Sequence, residues 1–178
     1  QTVQIFTING NTIVKHNKFN VGVNSQAVGK YENYLYVGSN YSANKRYDIT
    51  DPDNPVYSST FGNSNSNTIT SSKTGILMQN MNGMWTGYPE TSDIRLYDQD
   101  NNLLDEISGK SSYGLDENFL LPGGFCVIND AGVYKVYNCE NGIFEYVMDL
   151  PVYSRIYNEK FIITSDGSTF NFVTIDNR

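Results

Sequence analysis

The sequence predicts an all-β protein, and two observations predict it. The first is composition: among 178 residues there are 14 Tyr, 9 Phe and 15 Gly, whereas Ala occurs only at Ala27, Ala43 and Ala131. Aromatic residues favour strands, and a chain so poor in Ala and so rich in Asn, Ser, Thr and Gly is unsuited to helices. The second is a short alternating segment that recurs along the chain and each time runs into an Asp- or Asn-rich turn.

This recurring segment has five copies, and its spacing predicts the architecture. Its anchor residues are Phe6, Tyr47, Tyr97, Tyr137 and Val173, which follow one another at steps of 36 to 50 residues. A repeat of roughly 40 to 50 residues built from strands is typical of β-propeller blades. We therefore predict a β-propeller-like array of four-stranded antiparallel blades with about four to five repeats. The chain is expected to form one domain, 1–178, with repeat units near 1–20, 21–62, 63–109, 110–150 and 151–178.

Alternating apolar residues between turn signals place the individual strands. The predicted strands are 2–8 and 12–15; 25–28, 34–38, 45–49 and 56–61; 68–70, 75–78, 92–97 and 103–107; 114–115, 124–128, 133–137 and 143–148; and 154–157, 160–164 and 170–175. The first unit thus supplies only a third and a fourth strand, and the last unit only a first, second and third. Because an open ring leaves unpaired sheet edges, we expect the repeats to belong to a larger ring or an assembly; four blades plus an extra strand are the alternative.

The turn at residues 48–55 reads Asp-Ile-Thr-Asp-Pro-Asp-Asn-Pro, and its two prolines lack amide donors, so it must end one strand before the next begins. It resembles the D-(V/I)-(S/T)-D-P-x-N-P turn of LVIVD-type and related surface propellers. The corresponding turns at 98–102 and 138–142 lack both prolines, and the Gly-His and Trp-Asp pairs of WD repeats are absent. The resemblance implies a secreted or surface-exposed propeller and supplies no catalytic residues.

Charge excludes some partners. The net charge is −7, and no cluster of Lys and Arg could bind phosphates, so nucleic acid is not an expected partner. No apolar run reaches the roughly 20 residues of a membrane span, and membrane insertion is not expected either. We expect no metal, and no glycine-rich phosphate loop suggests a cofactor, because Pro122-Gly123-Gly124 leads into a strand without a following Lys.

The cysteines and the histidine carry little predicted chemistry. If Ile128 faces Val133 across the intervening turn, Cys126 and Cys139 lie too far apart to form a disulfide, and two free thiols are expected. His16, the only histidine, sits between Lys15 and Asn17 with no acidic neighbour in sequence, which predicts a surface residue rather than a general base.

The segment 80–90 is the candidate binding site. The longest step between anchor residues is explained if this segment is an insertion between the second and the third strand of its repeat. It contains Met81, Met84, Trp85 and Tyr88. Trp and Tyr in an irregular exposed loop are typical of binding hot spots, and Met provides adaptable contact surface. The alternative is a loop folded back over the sheet to cover apolar area.

These features together predict a non-enzymatic module that works extracellularly, on a cell surface or on a virion. Its expected partners are proteins or surface glycans, with self-association through exposed strand edges. One alternative is a self-assembling structural subunit in which strand 2–8 completes a blade of a neighbouring chain. The other is a glycan hydrolase that uses paired acids in a central channel.

Overall fold

The prediction of an all-β architecture is confirmed. A computed structural model describes residues 1–22, 24–39, 42–62, 66–82, 91–111, 119–121, 123–130, 133–150, 155–156, 161–165 and 170–174, and these residues form 17 strands and no helix. The strands are β1 (Thr2–Asn9), β2 (Thr12–Asn20), β3 (Ser25–Tyr31), β4 (Tyr34–Ser39), β5 (Asn44–Asp48), β6 (Val56–Phe61), β7 (Ser66–Ser72), β8 (Gly75–Asn82), β9 (Thr91–Tyr97), β10 (Leu103–Ser111), β11 (Phe119–Leu120), β12 (Phe125–Asp130), β13 (Val133–Asn138), β14 (Glu145–Asp149), β15 (Arg155–Ile156), β16 (Phe161–Ser165) and β17 (Phe170–Thr174).

The strands form five antiparallel sheets in chain order. The N-terminal hairpin consists of β1 and β2, and three four-stranded sheets follow: the first blade (β3–β6), the second blade (β7–β10) and the third blade (β11–β14). The C-terminal sheet consists of β15, β16 and β17. Within every sheet, strands adjacent in sequence are adjacent in space, as expected for the up-and-down sheets of a propeller.

The same irregularity marks the repeat in four sheets. The pairing register between the third and the fourth strand shifts beside the anchor residue, between Gln4 and Phe6, between Arg46 and Tyr47, and between Val136 and Tyr137. The second blade has the same kind of shift opposite Leu96 and Tyr97, and in all four sheets the additional residue lies on the fourth strand. A β-bulge bends the strand that carries it and increases the local twist, so these four sheets twist at the same point of the repeat.

Apolar cores lie between successive sheets. The core between the N-terminal hairpin and the first blade contains Val21, Leu35, Val37, Tyr47 and Ile49, with Val3, Ile5 and Phe19 packed against them. The core between the first and second blades contains Ala27, Tyr36, Phe61, Ile69, Ile76, Met78 and Tyr97, and the core between the second and third blades contains Leu77, Ile94, Leu96, Leu120, Cys126, Ile128, Tyr137 and Cys139. Sheets therefore stack face to face along the chain.

Polar contacts join the same neighbours. Gly62 donates its N–H to Asn101 Oδ1 at 2.7 Å, between the first and second blades, and Phe144 donates its N–H to Asp105 Oδ2 at 2.8 Å, between the third and second blades. The acceptors belong to short Asp and Asn side chains in or near the turns between third and fourth strands. These turns thus fix the spacing of adjacent blades as well as reversing the chain.

Several predicted strand bounds need correction: β3, β8 and β10 extend to Tyr31, Asn82 and Ser111, beyond the predicted ends at 28, 78 and 107. Strand β2 extends to Asn20 instead of ending at Lys15, because its distal half pairs with the start of β1 and places Phe19 over the first blade. In the third blade, the strand that pairs with β12 is β11, Phe119–Leu120, rather than 114–115; the latter lies outside the described residues.

Candidate interaction face on the N-terminal hairpin

In the three four-stranded blades the anchor residue packs against the preceding sheet. Tyr47 contacts Phe19 of the hairpin with ring centroids 5.2 Å apart, and Tyr97 contacts Phe61 of the first blade at 5.4 Å. Tyr137 packs in the core formed with the second blade. These three tyrosines are only 5%, 5% and 8% exposed, whereas Phe6, the anchor of the N-terminal hairpin, is 53% exposed. The anchor position is therefore buried in the three four-stranded blades and exposed in the N-terminal hairpin.

Phe6 belongs to an apolar face that we call the hairpin face, made of Phe6, Ile8, Ile13 and Lys15. Ile8 lies two residues from Phe6 and therefore on the same side of β1, and it pairs with Ile13; Phe6 pairs with Lys15. Ile8 is 70% and Ile13 is 67% exposed. Three large apolar side chains adjacent on one sheet face form a contiguous exposed apolar patch, which is a mark of an interaction site.

The opposite side of the hairpin packs against the first blade. Val3, Ile5 and Phe19 pack against the first blade, and the side chain of His16 is 10% exposed. His16 Nε2 lies 2.8 Å from Thr7 Oγ1, and His16 Nδ1 lies 3.2 Å from Asp53 Oδ2. The expectation of a surface histidine without an acidic neighbour is therefore wrong. The turn between β5 and β6 brings Asp53 next to His16, although the two residues are far apart in the sequence.

A cleft runs beside the hairpin face. It has a volume of about 390 Å³ and lies between residues 5–8 of β1 and the first blade. The first blade contributes Lys30 of β3, Glu32 and Asn33 of the turn that follows, and Ile49, Thr50 and Pro52 from the segment after β5. Its volume is within the range of small-ligand sites, but it is an open cleft along one strand rather than a closed pocket. The cleft is therefore better suited to a protein segment lying along β1.

Positive and negative charges are unevenly distributed along the chain, and this distribution also indicates the hairpin as an interaction surface. Residues 1–31 contain Lys15, Lys18 and Lys30 and no Asp or Glu, so the remaining 147 residues carry nine Lys and Arg against all 19 Asp and Glu, a net charge of −10. The hairpin is thus a basic element attached to a strongly acidic body. This signal was present in the sequence and would have pointed to the hairpin.

The predicted binding loop is only partly within the described residues. Met81 lies in β8, where it pairs with Ser92, so it belongs to a regular strand rather than to an irregular loop. Met84, Trp85 and Tyr88 lie outside the described residues. A binding role for the four residues remains a prediction.

The cysteines are closer than the sequence predicted. Cys126 pairs with Tyr137 rather than with Lys135, because the register of the β12–β13 hairpin is shifted by two residues from the expected one. Cys139 consequently lies diagonally across from Cys126, and the two Sγ atoms are 2.9 Å apart. The expectation that the two cysteines lie far apart is wrong, whereas the expectation of two free thiols agrees with the structure, in which no disulfide joins them.

Two features are absent from the part of the chain that the structure describes. There, no three residues among His, Cys, Asp and Glu come together as a metal-binding group. That part also contains no helix with the length and apolarity to cross a membrane.

Comparisons with known proteins agree with this architecture. Neither protein-family profiles nor curated sequences match the chain. Its structure is similar to that of the computationally designed Ika4 protein, with a TM-score of 0.56 and 12% identity over 88% of this chain and 94% of that one. It is also similar to Hsv2 from Kluyvelomyces marxianus, a propeller protein, with a TM-score of 0.57 and 9% identity over 88% of this chain and 47% of that one, so this chain spans about half of Hsv2. At such identities the likeness concerns the fold alone: this chain is an all-β protein with the four-stranded antiparallel sheets of a β-propeller.

Proposed function

We propose that this protein is a non-enzymatic assembly module in which the hairpin face of one copy is covered by the C-terminal sheet of a second copy. The observation that carries the proposal is the 53% exposure of Phe6 at a position whose equivalents, Tyr47, Tyr97 and Tyr137, are buried. Binding through a sheet face would give the protein its role as a structural subunit. The sequence predicts a module that binds proteins or glycans, and the proposal names one such partner, a second copy of this chain.

Continuity of sheet stacking supports this occupant. In each described interface, the face that bears the anchor residue packs against the sheet that precedes it along the chain. In a head-to-tail arrangement of copies, we place the C-terminal sheet β15–β17 of one copy against this face of β1 in the next. The pairing register shifts beside Phe6 as it does beside Tyr47 and Tyr137, so the hairpin is built like the third and fourth strands of a blade.

Charge supports a second copy in particular. The hairpin is basic and the chain as a whole carries a net charge of −7, so a second copy attracts it over long range; residues 151–178 themselves contain three Lys and Arg and three Asp and Glu, so they add no repulsion at the contact. A head-to-tail interface of this kind joins two different patches, so repeated use of it produces a closed ring or an open filament.

The absence of enzymatic activity and the location outside the cytoplasm are parts of the same proposal. The location rests on the resemblance of the 48–55 turn to surface propellers. For activity, the one histidine has a threonine hydroxyl and a carboxylate beside its two ring nitrogens, which are contacts that fix the hairpin in place. A glycan panel tests the hydrolase alternative: turnover that disappears when paired acids are changed to amides would replace our proposal.

The decisive experiment is the molar mass in solution by light scattering at increasing protein concentration. We expect multiples of the 20.0 kDa chain mass for the native protein. The variant Ile8→Glu/Ile13→Glu should be monomeric at the same concentrations, because it buries charge at the interface. Val56→Glu is the matched control: Val56 is 63% exposed and lies on β6 of the first blade rather than on the hairpin face, and this variant should assemble normally.

Isotope-mixed cross-linking identifies the occupant. Light and heavy chains are mixed and treated with a lysine-reactive reagent, and mixed-isotope links are expected from Lys15 to Lys160, the residue that directly precedes β16 in the sequence. A native protein that is monomeric at every concentration, a folded Ile8→Glu/Ile13→Glu variant that still assembles, or intermolecular links from Lys15 to the second or third blade alone would each overturn the proposal. Circular dichroism establishes that the variants are folded.

A further inference from the structure

The sulfur atoms of Cys126 and Cys139 are in direct contact inside the third blade. Cys126 lies on β12 and Cys139 directly follows β13, and their Sγ atoms are 2.9 Å apart. Cys139 also donates its N–H to the carbonyl of Gly124 at 2.6 Å, which holds the backbone segments of the two cysteines together. Both side chains are fully buried.

We propose that Cys126 and Cys139 are a disulfide-forming pair that becomes covalently linked when the chain folds in the presence of a disulfide oxidant. The sulfur–sulfur distance is already below van der Waals contact, and a disulfide bond of about 2.05 Å requires an approach of only about 0.9 Å. Their diagonal position across the β12–β13 pair brings the side chains together on one sheet face.

The chemistry is a thiol–disulfide exchange with a low-molecular-weight disulfide such as oxidised glutathione. The Cys139 thiolate attacks the glutathione disulfide, forms a mixed disulfide and releases one glutathione thiolate. The Cys126 thiolate then attacks the Cys139 sulfur, and the second glutathione thiolate leaves. The two cysteines lose two electrons, the oxidant gains them, and the two thiol protons end on the two glutathione molecules.

Burial decides when the exchange takes place. In the folded protein, burial raises the pKa of the Cys126 thiol well above its usual range, and the neighbouring Cys139 thiol raises it further. The attacking species is the thiolate, so the folded dithiol is protected from oxidants. The bond therefore forms during folding, before the second and third blades close over the pair.

The cross-link would act on the contact between two blades. Cys126 and Cys139 belong to the core between the second and third blades, together with Leu77 and Ile94. The turn after Cys139 leads to Phe144, whose N–H binds Asp105 of the second blade. A bond between Cys126 and Cys139 ties the start of this turn to β12 and so restrains the interface that the turn makes.

The test is refolding of the denatured, reduced protein in a mixture of oxidised and reduced glutathione. The expected product is a monomeric chain about 2 Da lighter than the reduced chain, with one Cys126–Cys139 peptide link in non-reducing mass spectrometry. Its Tm should exceed that of the reduced protein by roughly 5–10 °C, and adding a reductant under unfolding conditions should remove the difference. Native reduced protein given the same mixture should stay reduced.

Matched variants make the result specific. Cys126→Ser and Cys139→Ser should each end as a free thiol or a single glutathione adduct, and the double variant should have a Tm that no redox treatment changes. Refolded native sequence that keeps two thiols or two glutathione adducts would overturn the proposal. So would an internally linked product that lacks the circular dichroism spectrum of the reduced protein, because the bond would then be incompatible with this fold.

Discussion

Asp53 joins the N-terminal hairpin to the first blade through both oxygens of its carboxylate. Its Oδ1 accepts the N–H of Asn17 at 3.0 Å, and its Oδ2 lies 3.2 Å from His16 Nδ1. Asp53 itself is held in place by the turn, since its N–H donates to Asp51 Oδ1 at 3.0 Å. The orientation of the hairpin, and therefore of the hairpin face, depends on this one side chain in addition to the apolar contacts beneath it.

Asp53→Ala should loosen the hairpin. Loss of the acceptor for Asn17 and of the contact with His16 should reduce the local free energy of unfolding by about 1 kcal/mol, measured by hydrogen exchange of the β1 and β2 amides. Asp53→Asn is the control, since it keeps an acceptor for Asn17 and should lose less. Exchange in Asp53→Ala equal to that of the native protein would show that the apolar contacts alone fix the hairpin.

Asn101 should be intolerant of Ala. Its φ of 72° lies in the left-handed region that Asn tolerates, and its Oδ1 accepts the N–H of Gly62. Asn101→Ala loses both adaptations and should lower the free energy of unfolding by about 2 kcal/mol, whereas Asn101→Gly loses only the acceptor and should cost about 1 kcal/mol. Denaturant titration gives both values, and equal effects would refute a backbone contribution.

Gly38 permits the close approach of the first and second blades. A Cβ at this position would lie 2.8 Å from the backbone oxygen of Ser66, which cannot move without displacing β7. Gly38→Ala should therefore lower the free energy of unfolding by about 1–3 kcal/mol. Val28→Ala, a change at a position that is 49% exposed on the neighbouring β3, should cost less than about 1 kcal/mol in the same titration. A cost for Gly38→Ala no larger than this control would mean that the blades can separate freely.

Acid should destabilise the protein through its turns. The carboxylates whose pKa values lie below their usual range are Asp48, Asp51, Asp98 and Glu106. For Asp98, partial burial opposes the shift, but the side-chain amide and the N–H of Asn102, at 2.7 and 2.8 Å, outweigh it.

A group whose pKa is lower in the folded state contributes stability above its unfolded pKa, near pH 4, and loses it as the pH falls through the folded pKa. Stability should therefore be constant near neutrality and decline below about pH 4. Asp98→Asn should show a shallower decline in thermal unfolding measured across this range. If Asp98→Asn loses thermal stability with falling pH as steeply as the native protein, Asp98 does not contribute to the acid sensitivity.

Salt should weaken the proposed assembly. Attraction between the basic hairpin and the acidic body is screened within about 8 Å at physiological ionic strength and within about 3 Å at 1 M. We expect the dissociation constant of the multimer, measured by light scattering, to rise with salt. Lys15→Gln should both weaken assembly and reduce this dependence, whereas Lys73→Gln, outside the hairpin, should do neither.

Local patterns in the sequence determined the strands and the repeat. Alternating aromatic and polar residues around Tyr47, Tyr97 and Tyr137 placed third strands that the structure reproduces within about two residues, because period-two alternation and Asp- or Asn-rich turns are local properties of the chain. The same patterns predicted four-stranded antiparallel sheets, and this prediction is confirmed.

Tertiary structure alone decided the contacts between elements. The two-residue shift of the β12–β13 register brought Cys126 to Cys139, and the packing of the hairpin on the first blade brought Asp53 to His16. Phe6 and Tyr137 are equivalent in sequence, yet one is exposed and the other buried, because burial depends on whether another sheet lies against that face. Strand formation is set by each segment itself, whereas register and exposure are set by what packs against it.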